Sequence, residues 1–335
     1  MMKAYFYRPE NHELQDVAAE KLEEVWQLVL TPSATGMLWV DFQDTTEEEF
    51  DLLYKVFKFH PLCIEDCIVP QERPKIDIFS EYIFIIIHSM FYYKEEDQPP
   101  DAKNGLSYRE LDIFLGKNYL VTLHNSRVRA VSAMHEKLKS AVTVLERGPE
   151  YLLYSIFNRL IENYFLTLDK LEDNIDEVED KIFLGKYDNK ILQDIFTLKK
   201  NVIYLRKFLS PQRELVSSLL WKDINFISQN MNIYFRDISD NLVRVHELVD
   251  SYRDMLNSLM EAYLTVISTR LNDIMKTLTI IATFMMPATL VASFYGMNVE
   301  IPEFKWGIYG YLFVWVILIL STLLTVVYFK KKRLF

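Results

Sequence analysis

Asn272, Met275, Thr279, Ala282, Met286 and Thr289 recur at intervals of three and four residues near the C-terminus. That spacing places them on one face of a helix. The face carries an amide, two hydroxyls and otherwise small or polarisable groups, a surface fit to line a water-filled ion path. Stripes of Met and small residues also serve plain helix packing in membranes. The face leads into Tyr295-Gly296-Met297-Asn298, where glycine and asparagine suit a helix-ending turn. No nucleophile, base and orienting group fall together in a readable motif, so an enzyme is not expected. Cys63 and Cys67 have no second pair and no histidine cluster beside them, and read as buried thiols in a reducing cytoplasm. Acidic runs at residues 47–51 and 172–180 either gather cations or are solvated helix faces.

The elements that must position this face are membrane spans. Residues 277–299 and 306–329 are uncharged, with a short acidic turn between them. Each is long enough to cross ~30 Å of hydrocarbon as a helix, which takes about 20 residues. Lys330, Lys331, Lys332 and Arg333 follow the second stretch, while Arg270 and Lys276 precede the first. Those cations place both termini in the cytoplasm and the turn outside, in a multi-pass protein of the cell membrane. No basic start, apolar run and cleavage site occur in series at the N-terminus, so export of the remainder is not expected.

The roughly 270 residues before the spans suffice for one large domain or two smaller ones. The formal charge of -10 disfavours nucleic acid as a partner. Residues 1–145 read as an α/β domain of mixed strand pairing, with strands over 5–8, 37–41, 75–79, 82–92, 111–115 and 119–124. Helices are expected over 16–28, 47–57 and 127–145, and a loop over 96–106. Residues 146–231 read as long acidic packed helices, one over 151–183 and one over 189–209, with Ser210-Pro211 as the N-cap and first position of another. A stalk helix over 232–294 ends in the first span and would reach ~95 Å at 1.5 Å per residue. The extracytoplasmic loop is then 295–307, the second span 308–329 and the basic tail 330–335. Leu242, Val245, Leu248, Tyr252, Leu256, Leu259, Tyr263 and Ile267 form a stripe that suits either neighbouring copies or the head. The fold class is therefore an α+β cytoplasmic head with a long stalk helix and two transmembrane helices per subunit. Two spans cannot enclose a water-filled path alone, so the channel reading requires an oligomer.

Tyr295-Gly296-Met297-Asn298, followed by Glu300, Pro302-Glu303 and Trp306, resembles the signature of CorA-type magnesium channels, which carry two C-terminal spans joined by a Gly-Met-Asn turn. The resemblance takes in Leu278-Thr279-Ile280-Ile281-Ala282-Thr283-Phe284-Met285-Met286-Pro287. It extends into the head at His60-Pro61-Leu62, Glu65-Asp66, Gln71-Glu72-Arg73-Pro74-Lys75 and Tyr234-Phe235-Arg236-Asp237. The chain departs from the pattern at Ser293, where relatives can have glycine.

The resemblance implies a homopentamer in the lipid bilayer that takes up Mg²⁺, and with it Co²⁺ or Ni²⁺, down the membrane potential. Gly296, Met297 and Asn298 would form the selectivity filter, with the Asn298 amide oxygens accepting hydrogen bonds from the water shell of an ion that dehydrates reluctantly. Glu300 and Glu303 would concentrate cations at the outer mouth. Asn272 would ring the cytoplasmic end, and Met275, Leu278 and Met286 would form a narrow apolar section that gates by drying. Asp66 and Asp237 would hold regulatory Mg²⁺ between neighbouring heads. A zinc transporter of the same superfamily and a membrane-anchored cation sensor are the alternatives.

Overall fold

The structure, a computed structural model, describes residues 1–31, 35–92, 105–140, 143–185, 188–221, 226–298 and 301–331. Contacts divide the chain into two compact units, Met1–Met260 and Glu261–Phe335.

The first unit is built on a seven-stranded sheet: β1 (Met2–Arg8), β2 (Glu13–Asp16), β3 (Met37–Gln43), β4 (Lys75–Ile78), β5 (Tyr82–Tyr92), β6 (Leu106–Gly116) and β7 (Tyr119–His124). The order across the sheet is β2-β1-β3-β7-β6-β5-β4, with β3 and β7 parallel and the other neighbours antiparallel. Alternation along β3 assigns its two faces. Leu38, Val40 and Phe42 join Trp26, Leu53, Phe57 and Ile64 in one apolar core beneath α1 (Leu22–Leu30), α2 (Glu47–Lys55) and α3 (Pro61–Ile68). Trp39 and Asp41 point the other way, towards α4 (Arg129–Ser140). The short α5 (Thr143–Glu146) leads to α6 (Pro149–Phe183), which packs with α7 (Asn189–Trp221) on that second face. Local chemistry starts these helices. Thr46 and Glu49 close a capping box on α2, and Pro149 opens α6 behind Gly148 at φ 93°.

Two expectations need correction. Residues 16–28 do not form one helix: Asp16 ends β2, Ala19–Lys21 is a 3₁₀ turn, and α1 starts at Leu22. Strand β2 pairs with β1 around a turn at His12, whose φ is 50°, and so adds an edge that its polar sequence hides. Ser210-Pro211 does not cap a new helix, because α7 runs through it. Phe208, Leu209, Gln212, Leu215 and Val216 are buried on both sides of the proline, and this packing keeps the helix continuous although Pro211 donates no hydrogen bond to Lys207. The Ser210 hydroxyl instead meets His246 Nε2 at 3.1 Å.

Helix α8 (Asn232–Tyr295) is a single helix of 64 residues. In the first unit it runs beside α6, with Phe235 edge-on to Phe157 and the Tyr252 hydroxyl donating to Glu172 at 2.8 Å. Leu242, Val245, Tyr252, Leu256 and Leu259 are buried within the chain, so that part of the stripe serves the head rather than a neighbouring copy. The second unit holds the end of α8, a 3₁₀ turn (Pro302–Trp306) and α9 (Ile308–Lys331). Both α8 and α9 are long and apolar enough to cross a membrane. The loop expected over 96–106 lies outside the described residues up to 104, as does the basic tail from Lys332.

Candidate functional site

From residue 271 to the end of α8, the positions that lose most solvent are 280, 283, 284, 287, 288, 291 and 295. Their recurrence at three and four residues marks one face. Phe284 on this face packs against Phe329 of α9, the two rings tilted and their centroids 6.0 Å apart. At 100° per residue, Met275, Leu278, Thr279, Ala282, Met286 and Thr289 fall on the opposite side, with Asn272 at its edge. All of them are exposed, Met275 and Leu278 at 58% and Met286 at 70%. Leaving a largely apolar face with a few polar groups uncovered in one chain is what a surface made for other copies, or for lipid, requires.

The hydroxyls on this helix are already committed. Thr279 donates to the Met275 carbonyl at 2.7 Å and Thr289 to the Met285 carbonyl at 2.8 Å, while Thr283 donates to Thr279. Such bonds to the preceding turn satisfy the hydroxyl proton inside an apolar segment. Pro287 sits inside the helix and withdraws one N–H from the carbonyl of Thr283.

The helix ends at Tyr295, where the Gly296 N–H still donates to the Ala292 carbonyl at 2.9 Å and Met297 turns back to Phe294 at 3.4 Å. A Cβ on Gly296 would meet the Ala292 carbonyl oxygen at 2.9 Å, so the tight exit from the helix favours glycine there. Met297 and Asn298 follow, both exposed. Glu300 lies outside the described residues, and Glu303 is half-buried on the 3₁₀ turn.

In the head, Asp66 projects from α3 and Asp237 from α8. Among the described residues no interaction within one chain joins them. Lys75 Nζ holds Asp66 at 2.5 Å and Asp77 at 2.9 Å. Burial works against the Lys75 charge, but both carboxylates outweigh it and raise its pKa. Asp237 is exposed and accepts from Asn241 at 3.4 Å. The Lys75 bond to Asp66 has no local sequence signal, since the two are brought together by α3 lying over β4.

A second charged group escaped the sequence reading because its members are scattered along the chain. Asp41 accepts from Thr122 at 2.6 Å and from His135 Nε2 at 2.7 Å, and His124 Nε2 lies 3.3 Å away, all buried. Burial alone would raise the Asp41 pKa; the hydrogen bonds and charge of the two histidines outweigh it and hold the carboxyl well below the usual range. Asp112 is the opposite case: burial, with Glu110 adding to it, raises its pKa well above the ordinary value. Cys63 and Cys67 are buried free thiols, and burial pushes Cys63 up to about 11. Among the described residues no three His, Cys, Asp or Glu side chains have the geometry of a metal site.

Comparison with known proteins adds the following. The family model described as CorA-like Mg²⁺ transporter protein matches residues 34–331. A putative metal ion transporter of Bacillus subtilis is 35% identical over 274 residues, 82% of each chain. The cobalt/magnesium transport protein CorA of Thermotoga maritima is 30% identical over 96% of this chain and 90% of its own. The complete CorA magnesium transporter structure from Methanocaldococcus jannaschii superposes with a TM-score of 0.82 at 24% identity, covering 98% of this chain and 97% of that one, a likeness of fold.

Proposed function

The chain belongs to the CorA-like Mg²⁺ transporter family, and from that premise we propose that it forms a homopentameric channel in the cell membrane, both termini cytoplasmic, that admits hydrated Mg²⁺. The observation that carries this reading is the face of α8 that mixes Asn272, Thr279, Ala282 and Thr289 with Met275, Leu278 and Met286, exposed in one chain and turned away from α9. Five such faces around an axis would line a water-filled path ending at the Gly296-Met297-Asn298 turn. Amide oxygens suit the filter, because conduction needs sites that hold the water shell without gripping the ion. A divalent ion gains ~4.6 kcal/mol per 100 mV of inside-negative potential, twice the value for one charge, so uptake needs no chemical fuel. Co²⁺ and Ni²⁺ have the same charge and would share the path.

Closure is assigned to the exposed apolar positions Met275, Leu278 and Met286, and its control to internal Mg²⁺ at Asp66 and Asp237 of neighbouring heads. Carboxylate oxygens are donors that Mg²⁺ takes. Asp66 already binds a cation, the Lys75 ammonium, and an incoming ion would compete with it while Asp77 retains the lysine.

The test is Mg²⁺ influx into liposomes under an inside-negative potential, with and without Asn298→Ala. Potential-driven influx that falls at least tenfold in a correctly assembled variant is expected. Absence of influx from the unaltered protein, even at low internal Mg²⁺, would overturn the channel reading in favour of a coupled zinc transporter or a sensor.

A further inference from the structure

The turn after the filter is seated on α9 through a glycine. Gly310 is in the first turn of α9, among Ile308, Tyr309, Tyr311, Leu312 and Phe313, and it is buried where its neighbours are exposed. A Cβ at this position would lie 2.2 Å from the Glu303 carbonyl oxygen and 3.1 Å from its carbonyl carbon. Those are backbone atoms, which cannot rotate aside as a side chain can, so any larger residue must lift the turn. Glycine weakens a helix relative to alanine, and its presence amid bulky apolar residues marks a close backbone approach. Other contacts hold the same turn. Gly307, at φ 57°, makes the reversal into α9, and Trp306 packs edge-on against Phe313 at 6.0 Å. Ile301, just before the turn, is buried.

We propose that Gly310 is a positioning residue for cation capture: by admitting the Glu303 backbone against α9, it holds the Glu303 carboxylate at a fixed place beside the filter. The proposal rests on reading this turn as the outer mouth of the cation path. A carboxylate fixed on a rigid element raises the local cation concentration at a defined point, whereas one on a lifted turn spreads its field over a larger volume. The acid is thus fastened to α9.

The experiment is external-Mg²⁺ titration of influx into liposomes containing the full chain, comparing the unaltered protein, Gly310→Ala, Glu303→Gln and the double variant. Gly310→Ala is expected to raise the half-saturating Mg²⁺ about 3–10-fold while maximal flux stays within about twofold. Glu303→Gln should produce the same shift, and the double variant no more than Glu303→Gln alone. Added NaCl should weaken capture by the unaltered protein and matter less in the variants, since salt screens exposed charge. If Gly310→Ala does not assemble, Trp306→Ala loosens the same turn without a new Cβ in the helix and is read in the same way. An unmoved half-saturating concentration, or additive shifts, would overturn the inference and leave transport intact. No flux from the unaltered protein would remove the transport reading, and this inference with it.

Discussion

Asp41 keeps its charge in the interior because two imidazoles and a hydroxyl replace the water it has lost. Breaking a buried charge pair from one side leaves the other side uncompensated, at about 3–5 kcal/mol. Asp41→Asn should therefore lower stability by that order in urea unfolding of the detergent-solubilised protein. The pH dependence has a defined sign. A carboxyl whose folded pKa is depressed stabilises fully above its unfolded pKa of about 3.9 and loses that contribution as pH falls towards the folded value. The acid limb of the stability profile should be shallower in Asp41→Asn than in the unaltered protein. Asp112 carries the reverse sign, because its raised pKa costs stability once pH exceeds about 3.9. Asp112→Asn is expected to raise the unfolding temperature at pH 7, with the gain vanishing near pH 4. No gain at neutral pH would mean that the carboxyl is ionised in the fold.

Between elements, unequal strand lengths set the pattern of ties. Strand β4 pairs only with Ile83 to Ile86 of the longer β5, so the carbonyls beyond lack a strand partner on that side. Helices supply one: the Tyr164 hydroxyl and Gln212 Nε2 both donate to the His88 carbonyl, and the Thr167 hydroxyl donates to the Met90 carbonyl at 3.3 Å. A buried carbonyl stripped of its donors costs about 1–3 kcal/mol. The double variant Tyr164→Phe, Gln212→Leu should lose that much in thermal unfolding, and each single variant clearly less. These ties also mark the limit of what the sequence discloses. Strands β5 and β7 and helix α6 were legible because long apolar or periodic runs announce them, and the α8 face was legible because helical spacing is local. The continuity of α7 through Pro211 was not, since it depends on Gln212 reaching a strand far away in sequence. Gly310 was equally silent: its requirement comes from a carbonyl across a turn, which no periodicity encodes.

For the whole molecule, a single chain presents two apolar helices and the uncovered face of one of them, so assembly and transport are one question. The detergent-solubilised protein should have five times the 39.8 kDa chain mass in a mass measurement that accounts for bound detergent; a monomer would leave the α8 face to lipid alone and end the channel reading. The threonine hydroxyls on that helix bear on the sign of what passes. Thr279 and Thr289 have given their protons to their own backbone, so what remains on those oxygens is lone pairs. Each water around a cation turns both hydrogens outward and finds acceptors there, whereas each water around an anion spends one hydrogen on the ion and has only the other to donate. If Thr279 and Thr289 line the proposed path, the bonds that hold the helix together would favour a cation's water shell over that of chloride at those two levels.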